Sequence, residues 1–105
     1  ELLTAANYHF IWLMDGTKVI KKIELLEPSA VILDKELSKI IEINDSLKQY
    51  PETKDTKVLI LRNEITSKEW TEISKMGIDD YLIKPIQPNL LLKRVNALIF
   101  NNNES

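Results

Sequence analysis

PSAVILD, residues 28–34, is the stretch whose reading decides the fold. Four consecutive apolar residues, Ala30 to Leu33, stand between a Pro-Ser pair and the acid Asp34. The run does not alternate with polar residues, so both faces of the segment must be covered. It is also too short for a helix. A short, continuous apolar run of this kind suits a strand in a parallel sheet packed between helical layers. KVLILR at residues 57–62 repeats the pattern. Between the two, Ile40, Ile43 and Leu47 recur at helical spacing, with Ser38 placed to cap that helix. Residues 51–57 are polar and read as a loop.

The same alternation extends in both directions. Upstream, YHFIWLM at residues 8–14 is aromatic and β-branched enough for a strand. Asp15-Gly16 makes a turn and Thr17 can cap a helix whose inner face carries Val19, Ile20, Ile23 and Leu26, with Lys21, Lys22 and Glu24 opposite. Pro28 ends that helix. Leu2 to Ala6 reads as the last turns of a helix without its own start. Downstream, Thr66 and Glu69 have the spacing of a capping box, opening a helix that turns Trp70 and Ile73 inward and stops at Gly77. Tyr81 to Ile83 is the last strand, and Pro88-Asn89 opens a final helix with Leu91, Val95 and Leu98 in one stripe. Strands alternating with helices predict a doubly wound α/β fold with a parallel sheet. The two glycines, Gly16 and Gly77, both fall at turns, so no Gly-rich phosphate loop exists.

Composition narrows the chemistry. A chain of 105 residues, 44% hydrophobic and 29% charged, accommodates one compact domain. Residues 1–100 are expected to form it, with 101–105 a polar tail or the start of a linker. A net charge of -2 gives no general attraction to nucleic acid or to an anionic membrane. With no cysteine and one histidine, His9, thiolate chemistry, cysteine-ligated zinc and a His-based triad are excluded. No apolar run approaches the ~18 residues of a membrane span, and no signal peptide opens the chain, so the expected location is cytoplasmic.

Asp34 and Lys84 carry the chemistry. Both close strands of an open α/β sheet, where such sheets place their ligands. A carboxylate and a lysine at neighbouring strand ends offer a nucleophile and a cation for an incoming phosphoryl group. A simple ion pair, or two solvated strand ends, is the alternative.

PSAVILD, VLILRN, GIDDYLIKP and LLLKRVNALI, in that order, together with YHFIWLMDGTKVI, resemble the receiver domain of response regulators over about residues 7–100. GIDDYLIKP is the most specific of these. The resemblance implies a flavodoxin-like α/β fold and a signalling domain rather than an enzyme. It implies that Asp34 is the phosphoacceptor, that Lys84 binds the phosphoryl oxygens before a cis Lys84-Pro85 peptide, that Tyr81 is the aromatic that swings on activation, and that Mg2+ takes Asp34 and the Glu36 backbone carbonyl. The implied partners are a histidine kinase or phosphotransfer protein, an output domain, and a second copy through the face of the C-terminal helix.

Three departures stand beside the resemblance. The family's first strand, which carries paired acids for Mg2+, has no counterpart here, so Mg2+ is expected to bind weakly or not at all. The family's spatial strand order 2-1-3-4-5 then leaves residues 8–14 and 30–33 about 10 Å apart. Asp15 shapes a turn and does not replace the acids. Arg62 and Asn63 occupy the positions of the usual Thr or Ser and Ala. Arginine is large, permanently charged and donor-only, so it can grip phosphate or rest on the Asp34 carboxylate. Ser38 replaces a proline four residues after Asp34. These features leave a second reading, a phosphorylation-independent module that binds a partner through its last two helices and last strand. A small flavodoxin-like nucleotide binder is disfavoured by the missing glycines.

Overall fold

The structure is a computed structural model, and it describes residues 2–5, 10–13, 23, 28–34 and 36–100. The described strands are β1 (Leu2–Ala5), β2 (Phe10–Leu13), β3 (Ala30–Leu33), β4 (Lys57–Arg62) and β5 (Asp80–Ile83). The described helices are α1 (Leu37–Lys48), α2 (Ser67–Ser74) and α3 (Pro88–Phe100). One sheet holds the five strands in chain order. From β2 to β5 every pair is parallel, while β1 runs antiparallel to β2 along the outer edge.

β3 and β4 are buried on both sides, as their unbroken apolar runs require. Val31, Leu33, Val58 and Ile60 face one layer with Ile23, Ile40, Ile43, Leu47 and Ile73. Ala30, Ile32, Leu59 and Leu61 face the other, against Leu82 and the α3 residues Leu91 and Val95. Each fully buried Ile or Leu contributes about 1.5–3 kcal/mol of transfer free energy, so the two layers are the main force holding the sheet between its helices. The fold is therefore the α/β, flavodoxin-like sandwich that the alternation of strands and helices led us to expect.

Two expectations at the N-terminal end are overturned. Leu2–Ala5 is not the end of a helix but strand β1, registered with Leu2 opposite Leu13 and Ala5 opposite Phe10. A segment so short has little helical stability of its own, and the free edge of β2 offers it a full set of backbone partners. The 10 Å gap is also absent. No strand stands between β2 and β3, but Phe10 pairs directly with Ala30 and Leu13 with Leu33. Closing the gap satisfies the backbone donors and acceptors of β3, which would otherwise be buried without partners.

One helix start also shifts. Glu36, not Ser38, is the N-cap of α1, in an extended conformation with no side-chain capping bond. Ser38 lies inside the first turn. Starting there brings Ile40, Ile43 and Leu47 inward as expected, and also Asn44, which is fully buried. Its Nδ2 donates to the Met76 carbonyl at 2.7 Å, tying α1 to the turn after α2. That turn needs Gly77, whose φ of 94° is costly for any residue with a Cβ. The capping box of α2 is complete, Thr66 Oγ1 accepting from the Glu69 amide at 3.0 Å and Glu69 Oε1 from the Thr66 amide at 2.8 Å. The helix proposed over Val19, Ile20 and Leu26, the Asp15 turn, Thr17, His9 and the 101–105 tail lie outside the described residues.

Candidate functional site

Parallel β3, β4 and β5 end at one edge of the sheet, and each supplies a polar residue there. Asp34 follows β3, Arg62 ends β4 and Lys84 follows β5. Leu33, Ile60 and Tyr81 form one rung across the three strands. Asp34 and Lys84 are thus on strands that are not neighbours, with β4 between them.

The Lys84 side chain spans that distance. Its Nζ lies 2.6 Å from Asp34 Oδ1, so the ion pair closes over the end of β4. The Lys84 amide donates to the Arg62 carbonyl at 2.8 Å, which fixes the lysine backbone to β4. The Lys84-Pro85 peptide is cis. The carboxylate is largely sheltered and the ammonium partly exposed, at 15% and 37% side-chain exposure. A pair open to water on its lysine side adds no more than about 1 kcal/mol to stability. Its consequence is chemical, because it keeps a carboxylate and a cation side by side at the mouth of the sheet.

Arg62 does not rest on the Asp34 carboxylate. Side chains alternate along β4, and Val58 and Ile60 face the α1 and α2 layer, so Arg62 belongs to that side. Among the described residues, the ion pair of Asp34 is with Lys84 rather than with Arg62. On Glu69, in the first turn of α2, the Arg62 charge is the least of several influences. The Glu69 carboxyl is held below its ordinary value first by the Thr66 backbone N–H and then by the Thr66 hydroxyl and Arg62, against some desolvation. Arg62 Nε is buried and has no hydrogen-bond partner.

Tyr81 is half-buried on the same side. Its ring packs tilted on Trp70 of α2, with centroids 4.8 Å apart and planes at 53°. Trp70 is therefore a packing residue, as expected, and its partner is the aromatic singled out in β5. Two contacts escaped sequence reading. Arg94 of α3 grips both carboxylate oxygens of Asp80 at 2.8 Å, and Asp79 Oδ2 accepts the Val58 amide at 2.8 Å. Both link residues distant in sequence, so no local signal announces them.

The residues present fit a divalent cation poorly. Magnesium needs a near-octahedral set of hard oxygens, usually with one or two carboxylates. Asp34 already has one oxygen on Lys84. The Glu36 carbonyl accepts both the Lys39 and Ile40 amides at 3.1 Å, the first bonds of α1. Among the described residues no group of three or more His, Cys, Asp or Glu side chains comes together. The described donor set does not make a magnesium site.

Comparison with known proteins gives a consistent picture. Residues 1–96 match the family described as response regulator receiver domain. The chain is 42% identical over 98 residues to the circadian input-output histidine kinase CikA of Synechocystis sp., a match covering 93% of this chain and 13% of that protein. It is 28% identical to the alkaline phosphatase synthesis transcriptional regulatory protein PhoP of Bacillus subtilis, covering 92% of this chain and 40% of that one. The chain thus spans well under half the length of these curated relatives. Its fold is similar to that of the chemotaxis protein CheY4 of Vibrio cholerae, with a TM-score of 0.71 at 23% identity, over 80% of this chain and 72% of that one.

Proposed function

The chain belongs to the response regulator receiver domain family, and from that membership we propose that it is a signalling domain that accepts a phosphoryl group on Asp34. The observation that carries the reading is the Asp34–Lys84 contact across the end of β4. Receiver domains work with histidine kinases or phosphotransfer proteins, and in general bind Mg2+ at an acidic pocket. The proposed donor is a phosphohistidine on such a partner. An Asp34 oxygen attacks phosphorus in line, and the P–N bond breaks. The imidazole nitrogen leaves with the electron pair and is protonated, and the aspartyl phosphate remains. Lys84 orients the carboxylate before attack and neutralises part of the charge on the phosphoryl oxygens during it. Because one relative is itself named a histidine kinase, this chain is proposed to serve a kinase or its phosphotransfer partner and to pass the state of Asp34 to an output domain or partner surface.

The test is intact-protein mass after incubation with a phosphorylated histidine kinase, and separately with acetyl phosphate. A gain of one phosphoryl group, absent in Asp34→Asn, is the expected result. No gain from either donor refutes the assignment of Asp34.

Arg62 and the poor magnesium fit favour a second reading, a phosphorylation-independent binding module. In that case Asp34→Asn binds its partner as tightly as the unmodified chain does.

A further inference from the structure

Two contacts join the same two stretches of chain, one at each end of the sheet. Asp34 and Lys84 meet where β3 and β5 end. At the opposite end, Asn44 Nδ2 of α1 donates to the Met76 carbonyl at 2.7 Å, in the turn that leads through Gly77 to β5. Glu36 is the N-cap of α1, so Asn44 stands about 12 Å further along the helix axis, more than two turns from the site. The chain closes a ring here: from Asp34 along α1 to Asn44, across to Met76, along β5 to Lys84, and back to Asp34.

Asn44 is fully buried, on the inner face of α1 with Ile40, Ile43 and Leu47. Its Oδ1 has no hydrogen-bond partner. An apolar residue would fill the position without leaving a buried acceptor unmatched. What the amide adds is direction. Apolar packing is non-directional and tolerates a helix sliding or turning over a sheet. A hydrogen bond fixes one atom against another. The bonds at the end of α1, from Lys48 Nζ to the Lys54 carbonyl and from Thr53 Oγ1 to the Leu47 carbonyl, stay within the loop that follows the helix. Among the described residues, Asn44 is the side chain of α1 that bonds beyond that loop.

Asp34 needs such a reference because it lies past the end of β3. The sheet sets Leu33 against Ile60 and Ile83 against Arg62. Asp34 belongs to the connection between β3 and α1, so the seat of α1 sets where its carboxylate points. We propose that Asn44 is a positioning residue for the phosphoryl transfer: its bond to Met76 seats α1 against the turn before β5 and so holds the Asp34 carboxylate on Lys84. This rests on Asp34 being the acceptor. Asn44 touches neither member of the pair and acts through it. Misplacing a reacting group by about 1 Å can slow a reaction about 100-fold, and a loosened helix gives part of that.

The experiment follows the rate of labelling of Asp34 by intact mass, with a phosphorylated histidine kinase and with acetyl phosphate. Four proteins are compared: the unmodified chain, Asn44→Leu, Lys84→Ala and the double variant, each with its urea midpoint. Leucine keeps the position filled and apolar, and Met76 is exposed, so water can take over its carbonyl. Asn44→Leu should therefore keep the urea midpoint and label about tenfold more slowly. In the Lys84→Ala background the same substitution should change the rate by less than about twofold, because the pair it serves is gone. A slowing of equal size with and without Lys84, or no slowing at all, overturns the positioning role and leaves Asp34 as the acceptor. Should leucine not fit, Asn44→Ala, which needs no extra room, decides by the same comparison. Absence of labelling from either donor in the unmodified chain removes the acceptor assignment and the positioning role with it.

Discussion

Lys84 reaches Asp34 across the end of a strand to which neither residue belongs. Two residues fifty positions apart are placed 2.6 Å from each other only because β3, β4 and β5 run parallel and end together. The contact joins the first and last of these strands and leaves Arg62, on the strand between, outside the pair.

Removing the ammonium should separate chemistry from stability. Lys84→Ala is expected to slow labelling of Asp34 by on the order of 100-fold, the cost of losing a positioned donor to developing charge. It should change the unfolding free energy by less than about 1 kcal/mol, because the pair is open to water on the lysine side. Urea unfolding and the rate of mass gain measure the two. A loss of several kcal/mol with unchanged labelling would make the pair structural.

Magnesium should matter little to this chain. The described donors make no octahedral site, so labelling by acetyl phosphate is expected to be slow and to proceed at similar rates with Mg2+ and with EDTA. A steep, saturable acceleration by Mg2+ would place further ligands around Asp34 than those described.

The Trp70–Tyr81 contact should be measurable as a coupling. Trp70→Ala is expected to cost about 2 kcal/mol, less than for a fully buried tryptophan. In a double-mutant cycle with Tyr81→Ala, the interaction should be about 0.5–1.5 kcal/mol. Additivity within error would show that the two rings merely share a layer.

Glu69 predicts a pH effect with a definite sign. Its folded carboxyl titrates below the ordinary value of 4.5. Its contribution is therefore fully present above that value and disappears as pH falls through the lowered one. The stability difference between the unmodified chain and Glu69→Gln should be constant near neutrality and shrink in acid below pH 4.5. Denaturation midpoints against pH test this, and a difference that grows in acid contradicts the assignment.

Local pattern carried much of this molecule. AVIL and KVLILR declare buried strands because an unbroken apolar run has no solvated face to offer. The capping box at Thr66 and Glu69 closes within four residues, so its donors and acceptors are visible in the chain itself. Asp34 and Lys84 could be nominated because each closes such a strand. Leu2–Ala5 could not be read the same way. Four residues hold too little periodicity to separate a strand from a helix end, and the free edge of β2 made the choice.

By itself, then, the sequence determined the alternation of strands and helices, the buried faces of α1 and α3, and the residues available at the strand ends. Tertiary structure alone decided that β2 pairs directly with β3, that Asp80 meets Arg94, and that Lys84 rather than Arg62 takes Asp34. The physical reason is range. Propensity, capping and periodicity act within a few residues, whereas hydrogen bonds between strands and attractions between charges are settled by which segments the closed sheet and its two packed layers bring together.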